Sequence, residues 1–333
     1  MASAVPLIRS SLLAEFPALV RDLHGPLDSI LEEAGLGLER IGQPALLNPL
    51  DRHIRLLQLA AERCNCEEFT LELARRQDMA VFGALTILVM QAETVGQALL
   101  MFGRYIHYSV QAVELLVREE NELIYFVVDT SFEVATGSNQ FWDHSVALLF
   151  NVMRMVCGPD WAPRSAFLSR PEPSRGDLYS RYFHAPVAFD SEFSGLVFRR
   201  EALERPLSRS ITAVPQELQR YQRSRFAGDF LEQVRQVIHS LLPTRDCTSA
   251  NVAQCIGLSQ RTLQRKLQHQ HTTFQQQLDQ VRSELAVAYL QETQFSLTDI
   301  CELLGFAESG VFTRSFRRWF GVTPSRWRAL ELA

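Results

Sequence analysis

The sequence predicts an α+β N-terminal domain followed by an all-α C-terminal domain with two helix-turn-helix motifs joined by a linker helix. Three observations predict it. Between residues 27 and 108 apolar side chains recur at three and four positions, the period of helices packed on a core. Over Val110 to Asp129 the runs turn rich in Val, Ile, Leu, Tyr and Phe around a polar turn, the sign of paired strands. Beyond Thr248, one helical design is written twice.

Taken in order, residues 1–26 read as a loosely ordered lead-in, mixed in character and interrupted by Pro6 and Pro17. Helices are expected at Leu27 to Ala34, Arg52 to Cys64, Phe69 to Gln77, Val81 to Ala92 and Val95 to Tyr108, the last opened by a capping box of Thr94 and Gln97. Val110 to Val117 and Leu123 to Asp129 flank Glu119-Glu120-Asn121-Glu122 and predict a hairpin. A helix follows from Gln140 to Met155, ended by Gly158-Pro159. Short strands are expected at Ser165 to Ser169, Val187 to Phe189 and Gly195 to Phe198, with a helix over Leu178 to Phe183. A long amphipathic helix spans Pro215 to Leu242, and Pro243-Thr244-Arg245-Asp246 reads as a linker. The expected organisation is therefore lead-in 1–26, sensing domain 27–210, connecting helix and linker 211–247, and DNA-binding domain 248–333.

The first copy of the repeated design is Val252-Ala-Gln-Cys-Ile-Gly-Leu-Ser259 followed by Gln260-Arg-Thr-Leu-Gln-Arg-Lys-Leu267. The second is Ile300-Cys-Glu-Leu-Leu-Gly-Phe-Ala307 followed by Glu308 to Phe316. Each has a short apolar helix, a Gly at the turn and a second helix with apolar residues at i and i+4. This is the pattern of a helix-turn-helix, whose second helix enters a DNA major groove. With Leu263 and Leu267 facing the core, Gln260, Arg261, Gln264, Arg265, Lys266 and Gln268 face outward. Arg matches guanine O6 and N7, and Gln matches adenine N6 and N7, so that face carries base-reading chemistry. Ser259 is placed as its N-cap. Phe274 to Leu290 reads as one helix of about 25 Å, a spacer that suits two readers near one DNA turn, ~34 Å, apart. The aromatics Phe306, Phe312, Phe316, Trp319 and Phe320 have helical spacing and read as core rather than as a base-stacking platform.

The formal charge of −5, from 33 basic and 38 acidic residues, argues weakly against nucleic acid on its own. Its distribution is more informative. From Pro243 to Ala333 there are 10 basic and 8 acidic residues, which leaves 23 and 30 upstream, so the net charges are +2 and −7. Phosphates are contacted locally, and Arg261, Arg265 and Lys266 cluster on one candidate helix, Arg314, Arg317 and Arg318 on the other. Six cysteines form no spaced framework, and Cys64-Asn65-Cys66 with His53 lacks a second ligand pair for a closed zinc site, so neither a metal nor another cofactor is expected. The longest apolar run is too short to span a bilayer and the first residues lack a secretory pattern, so the expected location is cytoplasmic, in association with the nucleoid, with no membrane partner.

The stretch Ile300 to Pro324, with Gly-Phe, Arg-x-Phe-Arg-Arg and Phe-Gly-Val-Thr-Pro at this spacing, closely resembles the C-terminal pattern of AraC/XylS-type transcription regulators, and Thr248 to Leu330 fits it as a whole. The resemblance implies DNA binding through both motifs, mostly to activate transcription, with promoter DNA and RNA polymerase as partners. Carried over, base contacts fall on Arg261, Gln264 and Arg265 in the first motif and on Ser309, Gly310, Thr313 and Arg314 in the second. Gly310 offers no side chain where the family has a polar one, and Ala307 stands where a capping Ser is usual, a change of ~1 kcal/mol. The first motif is therefore expected to carry most base specificity and the second more phosphate grip.

Upstream, Leu27 to Gly35, Leu57 to Arg63, Gly158-Pro-Asp-Trp161 and Tyr182 to Phe189 resemble the regulatory domain of the ornithine-utilisation and VirS-type branch, often labelled arabinose-binding. The resemblance covers roughly Leu27 to Pro206 and implies sensing of a small-molecule effector and dimerisation. The helix-rich pattern does not support a cupin-like barrel of about eight strands. Candidate effector-binding side chains are Arg104, Tyr105, Tyr108, Trp142 and His144, with His107 and Arg154 beside them, polar residues in an apolar domain. Two alternatives remain open: an enzyme or repair activity tethered to DNA by this tail, and an architectural DNA protein. The first needs an activated nucleophile, and Asp143-His144 has no placed Ser or Cys beside it.

Overall fold

In the computed structural model, which describes residues 6–41, 46–90, 92–131, 138–208, 230–242, 247–256, 258–291 and 296–331, contacts divide the chain between Ile211 and Thr212. In the first unit Leu7–Arg9 (β1) pairs antiparallel with Leu47–Pro49 (β2), and Phe16–Asp22 forms α1. This corrects the expected loose lead-in. Leu13 and Phe16 are fully buried, and Phe16 meets Phe69 edge-on at 5.6 Å. Pro17 misleads because it sits in the first turn of α1, where its missing N–H leaves no bond unmade.

Helices α2 (Leu27–Ala34), α3 (Leu38–Ile41), α4 (Leu50–Arg63), α5 (Phe69–Arg76), α6 (Ala84–Val89) and α7 (Val95–Tyr105) follow. The expected helix over Val81 to Ala92 is shorter. A 3₁₀ turn, Met79–Phe82, and Gly83 at φ +57° precede α6. At the start of α7 the Thr94 hydroxyl accepts from Gln97 N at 3.3 Å, while Gln97 Oε1 accepts from Glu93 N at 3.0 Å, one residue before the position a capping box uses.

Strands β3 (Val113–Glu120) and β4 (Leu123–Thr130) form the hairpin, turned by Asn121 and Glu122 at φ 50° and 63°, the pair of left-handed residues that matches strand twist. With β5 (Ser165–Phe167), β6 (Val187–Ala188) and β7 (Ser194–Arg199) they make a five-stranded sheet in the order β3-β4-β7-β5-β6. Gly195 lets β7 approach the Phe126 carbonyl of β4, a space that a Cβ would fill. Helix α8 (Asn139–Cys157) is buried on most of its circumference and joins the main apolar core. It also carries Asp143, wholly buried, which accepts from Arg170 Nη1 and from the Tyr179 hydroxyl, each at 2.7 Å. Helices α9 (Gly176–Phe183) and α10 (Glu201–Glu204) complete this unit.

The second unit is helical: α11 (Phe230–Leu241), α12 (Ser249–Cys255), α13 (Gln260–His269), α14 (Phe274–Gln291), α15 (Leu297–Leu303), α16 (Ser309–Phe320) and α17 (Pro324–Glu331). Helix α11 buries Val234, Val237, Ile238 and Leu241 against α12 and α14, and Arg235 donates to Gln277 Oε1 at 2.8 Å and Gln280 Oε1 at 2.9 Å. The end of the expected connecting helix is thus part of this unit's core. The rest of that helix, residues 215–229, and the linker 243–246 lie outside the described residues.

Candidate DNA-reading face and N-terminal pocket

Helix α13 is opened by Ser259, whose hydroxyl accepts from Thr262 N at 3.3 Å, and it is seated by the fully buried Leu263 and Leu267. That seating exposes Gln260, Arg261, Gln264, Arg265, Lys266 and Gln268. Their engagements differ. Gln260 Nε2 donates to Ser249 Oγ at 2.7 Å, tying the two helices of the motif together. The Lys266 ammonium sits 5.1 Å from the Phe230 ring centroid, against α11. Among the described residues Arg261, Gln264, Arg265 and Gln268 have no side-chain partner, so their donors are free for a ligand.

The second motif is built more tightly. Ser296 and Asp299 form a full capping box at the start of α15. Gly305, at φ +66°, turns the chain where a Cβ would collide with the Leu242 carbonyl of the segment after α11. Arg282 of α14 closes the end of α15, donating to the carbonyls of Leu304 at 2.9 Å and Gly305 at 3.1 Å and lying 4.2 Å over the Phe306 ring. Phe312 and Phe316 are buried, and Phe306, Phe312 and Phe316 form an edge-on and tilted cluster, so these three aromatics serve as core, whereas Phe320, also expected there, is exposed.

On α16, Ser309, Gly310, Arg314, Arg317 and Arg318 are exposed. Thr313 is half-buried and its hydroxyl donates to Ser309 O at 2.9 Å, so its proton is already used within the helix. Arg318 pairs with Asp279 of α14 at 2.8 Å, whereas Arg314 and Arg317 have no side-chain partner among the described residues. The N-cap of α16 is Glu308, one residue after Ala307, and its side chain makes no capping bond.

In the first unit an apolar pocket of about 50 Å³ lies among β1, α4, α7, the hairpin β3–β4 and α8. Leu12, Phe82, Phe102, Val113, Val128 and Leu149 supply part of its wall, and His53 and His144 its imidazoles. Burial holds both imidazoles neutral, with pKa values lowered to about 3, and a charge on His144 would oppose one on His53. Of the four effector candidates whose side chains are described, Arg104, Tyr105, Trp142 and His144, only His144 lines the pocket. Arg104 is exposed with its guanidinium over the Tyr105 ring, and Tyr105 and Trp142 are half-buried against the outside of the core. The side chain of Tyr108 lies outside the described residues. His53, the residue that sequence reasoning left out of the pocket, interrupts the apolar stripe Leu50, Ile54, Leu57 and Ala61 of α4, and that interruption was the available signal.

Among the described residues no group of three His, Cys, Asp or Glu side chains is placed to hold a metal, and no helix is long and apolar enough to cross a membrane. Burial also pushes the Cys66 thiol up to about 11, and Glu68 and Glu72 add to it.

Two paired helices, each with its second helix exposed and basic, on either side of one spacer helix define a DNA-binding module with two reading heads. The chain's likeness to known proteins agrees. Residues 25–207 match the family described as the arabinose-binding domain of AraC transcription regulator, N-term, and residues 252–330 match a helix-turn-helix domain. The chain belongs to the AraC family of transcription regulators and is a DNA-binding regulator. It is 26% identical over 333 residues to the HTH-type transcriptional regulator VirS of Mycobacterium tuberculosis, covering 97% of this chain and 96% of VirS. It is 28% identical over 279 residues to the ornithine utilization regulator of Pseudomonas aeruginosa, covering 82% of each. Over 98 residues it is 36% identical to the transcriptional activator NphR of a Rhodococcus species, 29% of each chain.

Proposed function

We propose that this protein activates transcription from a promoter it grips through two successive major grooves, under the control of a small molecule held in the N-terminal unit. The observation that carries the reading is the pair of helices α13 and α16, each with free guanidinium groups outward and apolar residues inward. Helix α14, at 18 residues, is ~27 Å long, the scale needed to hold two readers near one DNA turn apart. A name that includes activation, that of NphR, belongs to a relative matched over 98 residues and supports the sign of regulation. RNA polymerase and a second copy of the chain are the protein partners that a regulator of this family takes. The domain division offered is a sensing unit up to residue 210 and a DNA-binding unit that includes α11.

Base readout is assigned to Arg261, Gln264 and Arg265, whose side chains are unengaged. Gln268 beside them, with Ser309, Arg314 and Arg317 of α16, adds phosphate and sugar contacts, while Gln260, Lys266 and Arg318 are held by protein partners and orient the helices. Gly310 and the internally bonded Thr313 leave α16 with less to read bases with. The test is footprinting on the DNA flanking the gene at ~0.15 M salt with excess competitor DNA. Protection over successive major grooves on one face is expected, with sequence preference lost in Arg265→Ala and kept in Thr313→Ala. Preference lost only in Thr313→Ala overturns the division of labour. Uniform, salt-sensitive coating by the wild type overturns the regulator reading.

A further inference from the structure

His53 is fully buried, and neither ring nitrogen has a hydrogen-bond partner. It stands where a Leu or Ile would continue the apolar stripe of α4, so the fold has no packing need for an imidazole there. Among the described residues the other polar side chains of the lining are His144, bonded through Nε2 and without a partner at Nδ1, and Ser145, whose hydroxyl is bonded. Gln77 Nε2 donates to the carbonyls of Leu12 at 3.0 Å and Ala14 at 2.9 Å, so Gln77 Oε1 must accept, and His144 donates to it from Nε2 at 2.8 Å. The Ser145 hydroxyl donates to Phe141 O at 2.8 Å. What His53 adds is one neutral imidazole, one N–H donor and one lone pair, in an apolar enclosure.

Among the described residues the lining contains no Lys, Arg, Asp or Glu, so a charged ligand would be buried there without a counter-charge. We propose that the pocket takes an uncharged, mainly aliphatic effector with a single hydroxyl or amide group, and that His53 is its hydrogen-bond anchor. The proposal rests on the ligand-responsive reading given above and names the class of ligand. The volume of about 50 Å³ fits a body of a few carbon atoms. A dry cavity of ~150 Å³ takes benzene, with six heavy atoms, so a three- or four-carbon amide or alcohol enters this one only as the walls give.

The test uses the full-length protein and its His53→Phe variant, in which a ring of similar shape lacks the polar atoms. Propionamide, butyramide and 1-butanol are titrated by calorimetry beside the charged matches butyrate and butylammonium, and the imidazole nitrogens are followed by ¹⁵N NMR. Butyramide is expected to bind the wild type about tenfold or more tightly than either charged match, to shift the His53 ring nitrogens, and to lose about tenfold in His53→Phe. The proposal is overturned if butyrate or butylammonium binds as well, if the Phe variant binds unchanged, or if no probe binds. Should the variant fail to fold, the wild-type ¹⁵N spectrum decides, and unmoved His53 resonances overturn the proposal. Footprinting on the same preparation separates the two readings. DNA protection without probe binding sinks the pocket and leaves the regulator, whereas probe binding without protection does the reverse.

Discussion

Single buried groups set how the first unit responds to acid. His53 and His144 have folded pKa values near 3 against 6.5 for a free imidazole. A lowered histidine pKa contributes stability that is full above 6.5 and drains away as pH falls toward 3, because the unfolded chain takes the protons first. At pH 5 each imidazole costs ~2 kcal/mol, about 1.5 units at ~1.4 kcal/mol per unit. Asp143 acts in the opposite sense. Burial outweighs Arg170 and Tyr179 and raises its pKa from 3.8 to about 6, so folding gains as pH falls through 6. That returns ~1 kcal/mol at pH 5 and leaves a net loss of roughly 3 kcal/mol, a large part of the 5–15 kcal/mol typical of a domain. Denaturant midpoints of the first unit at pH 7 and pH 5 are expected to show this drop. In His53→Phe the drop shrinks by about 2 kcal/mol, and an unchanged drop would place the pH sensitivity elsewhere.

Capping explains why the two reading helices begin differently. Ser259 accepts from Thr262 N and anchors α13, whereas α16 starts on Glu308 without a side-chain bond. The sequence suggests Ala307 as the weak point, since a capping Ser is usual there in the resembling family. The backbone instead places the N-cap at 308, where φ −142° and ψ 140° still leave the chain extended. Ser259→Ala should therefore cost α13 about 1 kcal/mol, and Glu308→Ser should stabilise α16 by a similar amount, while Ala307→Ser changes little. Hydrogen exchange of the first-turn amides of each helix measures this, and protection gained from Ala307→Ser rather than Glu308→Ser would refute the assignment. At this scale the sequence was most readable. The hairpin, the helix of 139–157 and the helices of the tail follow from period and turn residues, because each is a local pattern. The misses were local signals of double meaning: Pro17 as breaker or initiator, and Thr94 with Gln97 as a box that closes one residue early.

For the whole molecule, long-range pairing decides what composition could not. Arg318 and Lys266 look like phosphate ligands in sequence, but Asp279 and Phe230 reach them from other helices, and no spacing rule foretells that. His144 and His53 lie 91 positions apart and meet only in the folded pocket, so the pocket was half legible at best. The same distinction governs DNA affinity in salt. Each phosphate neutralised releases counterions, and the slope of log K against log salt is about −0.9 per contact on duplex DNA. Arg317 is exposed and unpaired, so Arg317→Ala should weaken binding to all sequences alike and flatten that slope by about 1. Arg318 already neutralises Asp279, and removing it exposes a carboxylate on α14 rather than vacating a phosphate contact. Arg318→Ala should consequently lower affinity with a much smaller change of slope, and Arg265→Ala should narrow the gap between promoter and random DNA more than either. Binding isotherms between about 50 and 200 mM salt on both DNAs read all three effects. Equal slopes lost at 317 and 318 would mean that the Asp279 pair opens on DNA and that both arginines grip the backbone.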